Sequence, residues 1–185
     1  MTDHESLRRL LLERSVQRGD FTLASGRRSS YYIDCRPTTM SAEGLIVIGR
    51  MGCAALQAKG WRPAVIGGLT MGADPVAYAI AAASFASNTP VDAFSVRKNT
   101  KDHGTSRLIE GNFRSGDAVV VVEDVITSGE SARKAVAAVE RAGGRVLGIL
   151  AVVDREEGGR HSLEEQGREV VVLTNVGELG LGDFR

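Results

Sequence analysis

The segment Val119–Ser131, VVVVEDVITSGES, constrains this chain more than any other. A run of valines with no polar residue among them does not suit a strand with one wet face. It reads as a strand buried on both faces, which is the condition of a parallel sheet covered by helices. Such strands present ligands at their carboxyl ends, where the next loop opens a helix. Here the run meets two acids, Glu123 and Asp124, and then the loop Val125-Ile126-Thr127-Ser128-Gly129-Glu130-Ser131. Small and hydroxylated residues before a helix suit a phosphate held on backbone amides. Adjacent acids suit hydroxyls or a metal rather than a second phosphate. The segment therefore points to a ligand that carries both a phosphate and a polyol.

The remaining pattern agrees with that fold. Leu7, Leu10, Leu11 and Val16 recur at helical spacing and predict a helix from Ser6 to Gln17, ended by Gly19. Short strands are expected at Phe21–Leu23 and Tyr31–Asp34, joined by a polar turn. Ser41 caps an expected helix over Ala42–Lys59, and Gly60 stops it. A strand at Ala64–Gly68, a helix with Pro75 in its first turn running through Phe85, and a strand at Asp92–Val96 follow. After the valine strand come a helix over Gly129–Arg141 and strands at Val146–Val153 and Val170–Leu173. Alternating strands and helices predict an α/β domain with a largely parallel sheet. We expect residues 1–185 to form a single domain, with about residues 1–40 as a small hood. Tyr31 and Tyr32 read as packing residues, and Trp61 as a packing or interface residue.

Three further strand ends carry chemistry. Residues 97–112, RKNTKDHGTSRLIEGN, are polar and basic, and a loop this long inside a domain is usually functional. Arg97, Lys98, Lys101 and His103 suit a dense anion such as pyrophosphate, on a lid that excludes water. A solvated surface loop would have the same composition, so its place after a strand of the sheet decides the reading. Arg155 follows the Val146–Val153 strand, and its planar guanidinium suits a carboxylate or a base bearing carbonyls. Gly67–Asp74 is a further strand-end loop, equally consistent with simple turn chemistry.

Charge and composition exclude other classes. The 23 Lys and Arg balance 23 Asp and Glu, so no broad attraction to nucleic acid is expected. Cys35 and Cys53 have neither metal-ligand spacing nor a disulfide framework, and read as thiols of a reducing cytoplasm. No apolar run reaches the roughly 20 residues that span a bilayer, and no membrane partner is expected.

VVVVEDVITSGES resembles the phosphoribosyl-pyrophosphate motif of the type I phosphoribosyltransferases. FTLASGRRSSYYID (21–34), GLTMGADP (68–75), RKNTKDHGTSRLIEG (97–111) and VDR (153–155) resemble the orotate phosphoribosyltransferase family within that group. The resemblance implies the type I phosphoribosyltransferase fold, with a mostly parallel central sheet flanked by helices and a small N-terminal hood. It implies transfer of ribose 5-phosphate from phosphoribosyl pyrophosphate to orotate, giving orotidine 5'-monophosphate and pyrophosphate. Mg2+ is the implied cofactor, held mainly through the substrate, with no direct protein ligand set expected. A homodimer with shared active sites is the implied assembly.

Carried over by position, Val125 and Ile126 belong to the phosphoribosyl-pyrophosphate site, and Thr127 to Ser131, that is Thr127, Ser128, Gly129, Glu130 and Ser131, would hold its 5'-phosphate. Glu123 and Asp124 contact the ribose, and Arg97, Lys98, Lys101 and His103 the pyrophosphate. Lys101, His103 and Asp124 are the expected catalytic residues, and Thr127 and Arg155 the expected orotate contacts. Ala24 and Met71 stand where some family members carry Lys, and Glu130 stands in the cradle where Gly or Thr is usual. Its carboxylate is expected to face away from the phosphate. A purine-base phosphoribosyltransferase and a non-catalytic regulator that binds phosphoribosyl pyrophosphate are the alternatives. The Lys/His loop and Val-Asp-Arg argue against the first, and the absence of a DNA-binding extension against the second.

Overall fold

The valine run pairs with strands on both sides, and its side chains alternate between two cores. In the computed structural model, which describes residues 1–22, 26, 28–98 and 108–181, Val120 and Val122 face one apolar cluster. Val119 and Val121 face another. All four are fully buried, which is why none is polar.

The elements in chain order are α1 (Asp3–Arg14), β1 (Val16–Thr22), β2 (Arg28–Ile33), α2 (Arg36–Thr39) and α3 (Ala42–Ala58). Then come β3 (Val65–Leu69), α4 (Ala73–Ala86), β4 (Asp92–Val96), β5 (Ile109–Gly111) and β6 (Ala118–Ile126). The chain continues through α5 (Glu130–Arg141), β7 (Arg145–Asp154), α6 (Gly159–Glu165) and β8 (Val170–Asn175). The main sheet has the order β5-β4-β3-β6-β7-β8. All neighbours are parallel except the edge pair β4–β5. Residues of α1, α3 and α4, among them Leu7, Ile48 and Ile80, pack with Val120 and Val122 on one face. The apolar stripe of α5, Ala132, Ala135, Val136 and Val139, packs with Leu163 of α6 on the other. Helices thus cover both faces, as the sequence predicts.

Several boundaries differ from expectation. The first helix stops at Arg14, and Val16 and Gln17 are strand residues. They pair with Ile33 and Tyr32 in an antiparallel hairpin outside the main sheet, so tertiary pairing overrides the helical spacing of Val16. Gly19 lies within that strand rather than at a helix end. The valine strand does not end at its acids: β6 continues through Glu123 and Asp124 to Ile126, paired with β7 as far as Asp154. Helix α4 begins at Ala73 and so holds Pro75 in its first turn, as expected. The helices α2 and α6 and the strand β5 have no counterpart in the sequence reading.

Among the described residues, no helix is long and apolar enough to cross a membrane.

Candidate active site

At the carboxyl ends of β3 and β6, where the crossovers diverge toward opposite faces, the sheet leaves a crevice. It holds a polar cleft of about 270 Å3. The loop after β3 gives Thr70, Met71 and Gly72, and β6 gives Glu123, Asp124 and Val125. The hairpin side gives Tyr32, Asp34 and Arg36, while Lys98 and Ser131 complete the rim. The Thr70–Met71 peptide is cis. Gly72 lies so close to Asp124 that a Cβ there would stand 2.5 Å from its Oδ1. Only a residue without a side chain admits the carboxylate at this point.

The acids differ in state. Glu123 is only 6% exposed. Its burial, reinforced by the charge of Asp124, pushes its carboxyl from the usual 4.5 up to about 8, against the opposing pull of Lys98. Burial also raises Asp124, although the Val125 N–H donates to its Oδ1 at 2.9 Å. Asp34 goes the other way, because Arg36 donates to both of its oxygens at 2.8 Å and holds it low. Cys35, buried in the cleft wall, has its thiol pushed up by burial and then by the charge of Asp124.

The loop after β6 turns at Gly129, whose φ of 75° is left-handed and favours glycine. Helix α5 starts at the next residue, so its first amides face the rim that Ser131 lines. The Glu130 carboxylate lies along the helix and pairs with Lys134 at 2.6 Å. That pairing lowers its pKa. Thr127 is half-buried, Ser128 exposed, and Ile126 part of the α5-side core.

Arg155 lies behind the cleft wall, 6% exposed. Its guanidinium stacks 5.3 Å above the Tyr31 ring and its Nη2 meets Glu157 at 2.9 Å. Its Nε is buried without a hydrogen-bond partner. The basic stretch divides. Lys98 faces the cleft, whereas Arg97 pairs with Glu110 of β5 at 3.1 Å. Lys101 and His103 lie outside the described residues.

Three polar residues of this cleft, Tyr32, Asp34 and Arg36, were not candidates in the sequence reading. The signal was present in SSYYIDCR, where an acid and a base flank Cys35 two residues apart, next to a family-like stretch.

Residues 43–176 match the family model described as a phosphoribosyl transferase domain. An orotate phosphoribosyltransferase of Aquifex aeolicus is 44% identical over 182 residues, which cover 97% of this chain and 98% of that protein. One from Mycobacterium avium is 45% identical over 178 residues, covering 96% of this chain and 97% of that protein. The chain belongs to the orotate phosphoribosyltransferase family. It is a transferase of pyrimidine biosynthesis, moving the ribose 5-phosphate group of phosphoribosyl pyrophosphate to orotate.

The solved structures agree. The orotate phosphoribosyltransferase of Mycobacterium tuberculosis superposes with a TM-score of 0.86 at 43% identity, covering 97% of this chain and 99% of that one. A structure of that enzyme in complex with phosphoribosyl pyrophosphate gives 0.82 at 41% identity, with the same coverage. Adenine phosphoribosyltransferase of Saccharomyces cerevisiae gives 0.67 at 20% identity, with 91% and 99% covered, and shares the fold alone.

Proposed function

We propose that the β3–β6 cleft and the Thr127–Ser131 turn are the two halves of the phosphoribosyl-pyrophosphate site. The observation that supports this most directly is the juxtaposition itself. Buried Glu123 and half-buried Asp124, near the end of β6, are followed along the chain by a left-handed glycine that opens a helix. In this reading the turn and the first amides of α5 hold the 5'-phosphate. Asp124 and Glu123 accept from the ribose hydroxyls. Arg97, Lys98, Lys101 and His103 hold the pyrophosphate, and Thr127 and Arg155 hold orotate.

The chemistry needs little from the chain beyond position and charge. The bond from the ribose carbon to pyrophosphate breaks, the bond to the orotate ring nitrogen forms, and pyrophosphate leaves. Positive charge develops on the sugar above Asp124, and negative charge on the leaving group beside the cations. Lys101 or His103 donates a proton to the departing pyrophosphate. No protein nucleophile is required, because orotate brings its own.

Mg2+ fits the donor set. Among the described residues no group of three or more His, Cys, Asp or Glu is arranged to hold a metal. The cleft nevertheless gathers Asp34, Glu123 and Asp124 around one space. One or two carboxylates completed by substrate oxygens is how Mg2+ is commonly bound, and Asp124 would hold it here. Bound there, the ion supplies charge that offsets the leaving pyrophosphate.

The active assembly in this reading is a dimer. A groove of about 1330 Å3 between α3 and α4 is lined by Leu45, Ile46, Trp61, Tyr78 and Pro90. Ile46 is 60% exposed and Tyr78 54%. Exposed apolar surface of this kind marks an interface, and a second copy with the same face is its occupant.

One experiment tests the roles and the sharing together. Orotate absorbance is followed with phosphoribosyl pyrophosphate and Mg2+ for Lys101→Ala, for Asp124→Asn and for their mixture. Each variant alone is expected to lose most turnover, with kcat falling more than KM rises for Lys101→Ala. The mixture is expected to recover activity, because mixed dimers contain one intact site. A mixture as inactive as its components would refute the shared site.

A further inference from the structure

The reading of the Thr127–Ser131 turn as the 5'-phosphate loop leaves open what holds that turn in shape. A loop that offers amides to an anion must keep its carbonyls turned elsewhere. Within the loop, Ser128 Oγ accepts from the Glu130 N–H at 3.4 Å and the Gly129 carbonyl accepts from the Arg133 N–H at 3.0 Å, which leaves the Thr127 and Ser128 carbonyls to be held from elsewhere. The structure supplies two outside contacts, both from parts of the chain that the assigned site does not use.

The first is Arg133, one turn into α5. Its Nη2 donates to the Ser128 carbonyl at 3.0 Å, and its Nη1 approaches Ser162 Oγ of α6 at 3.4 Å. The peptide unit is planar and trans, so pinning the Ser128 carbonyl fixes the direction of the Gly129 N–H on the opposite side.

The second is Gly159, the buried first residue of α6. A Cβ built there would stand 2.1 Å from the Thr127 carbonyl oxygen, and 2.7 Å from both the Gly129 nitrogen and the Ser128 carbonyl carbon. These are backbone atoms, which cannot swing aside. The α6 backbone therefore lies directly against the back of the loop. Leu163, one turn on, closes the same contact, since its Cδ1 and Cγ lie 3.1 Å from where a Cβ at Gly129 would be.

We propose that Arg133 and Gly159 are positioning residues for the phosphoribosyl phosphate: they clamp the Thr127–Gly129 backbone between α5 and α6 so that its amides are preset for the anion. Neither touches the reacting atoms. Their effect falls on phosphate affinity and not on the chemical step, because a preset loop avoids the ordering cost on binding. The clamp also explains the glycine at the first residue of α6, whereas Gly158 before it serves its own left-handed φ of 89°.

The test compares Arg133→Ala, Arg133→Lys, Gly159→Ala and Ser131→Ala with the parent enzyme. Calorimetric titration with inorganic phosphate reads affinity without turnover, and steady-state kinetics separates the substrates. Arg133→Ala is expected to weaken phosphate and to raise KM for phosphoribosyl pyrophosphate by roughly tenfold, the scale of one hydrogen bond from a charged donor. Its kcat and its KM for orotate are expected to stay within about twofold. Arg133→Lys should recover part of the loss, and Gly159→Ala should match or exceed it.

Should Gly159→Ala fail to fold, the Arg133 pair decides alone. A lowered melting temperature with unchanged phosphate affinity in Arg133→Ala overturns the proposal, as does an equal loss for both substrates. Ser131→Ala separates this proposal from the reading beneath it. If Ser131→Ala leaves phosphate affinity intact, the phosphate-loop reading itself fails. If Ser131→Ala weakens phosphate and Arg133→Ala does not, only the clamp fails.

Discussion

Glu123 gives the sharpest energetic expectation. Free in an unfolded chain, its carboxyl loses a proton near the usual 4.5, whereas burial keeps it protonated up to about 8 in the folded protein. Between those values the folded state binds the extra proton, so this group makes stability fall as pH rises. Below pH 4.5 both states are protonated and the group contributes nothing, and above about 8 the full penalty is present. That span at about 1.4 kcal/mol per pH unit sets a ceiling of about 5 kcal/mol. Water entering the open side of the cleft brings the realised cost to several kcal/mol.

Glu123→Gln keeps the shape and removes the charge. Urea unfolding from pH 5 to 9 is the assay, read as the stability of the variant minus that of the parent. The difference is expected to start near zero, to grow by up to about 1.4 kcal/mol per pH unit, and to level off above pH 8 in favour of the variant. Asp124, raised by burial, and Asp34 and Glu178, held low by hydrogen-bonding partners, add slopes of their own. The slopes of Asp34 and Glu178 are common to both proteins and cancel in the difference, whereas Asp124, coupled to Glu123 by charge, is removed by making both measurements in an Asp124→Asn background. Parallel curves, or a variant less stable at pH 9, would refute the buried-carboxyl argument.

Other expectations follow from the same geometry. Tyr31→Leu removes the ring under Arg155, a cation–π contact of about 0.5–2 kcal/mol. It should raise KM for orotate by about 2- to 30-fold and leave phosphate affinity unchanged, as steady-state kinetics will read. Ile46→Asp puts a charge in the α3–α4 groove and is expected to shift sedimentation velocity from dimer to monomer, with turnover lost in parallel. Glu130→Gly removes a carboxylate already paired with Lys134. It should change phosphoribosyl-pyrophosphate KM by less than about threefold, and a sharp loss of binding would show that the side chain serves the site.

The parallel sheet was legible because its signal is local. Val119–Val122 alternate between two dry faces, and no other arrangement suits four adjacent valines as well. The acids and the turn after them were legible for the same reason. What escaped was set by partners distant in sequence. Val16 and Gln17 continue a helical pattern, yet Ile33 and Tyr32 draw them into a hairpin. Helix α6 has no local signal that marks its start, and only the loop packed against Gly159 shows why a glycine stands there. Arg155 was visible as a strand-end cation, but its burial over Tyr31 joins residues more than a hundred positions apart. Asp34 and Arg36 looked like an ordinary polar step until the loop after β3 and the end of β6 were brought beside them.

The antiparallel pair at the sheet edge has a consequence for how this chain can vary. Val96 stands opposite Ile109, and the Arg97 N–H donates to the Leu108 carbonyl at 2.9 Å. Arg97 and Leu108 are therefore latched side by side at the sheet edge. Once such a latch is closed, the length of chain beyond it is thermodynamically cheap, since doubling such a loop costs only about 0.6 kcal/mol. Insertions between the latched residues should thus be tolerated by the fold, whatever they do to turnover. A proline at Glu110, whose N–H faces Ser95 of β4, would instead break the ladder, and the sheet would lose its edge.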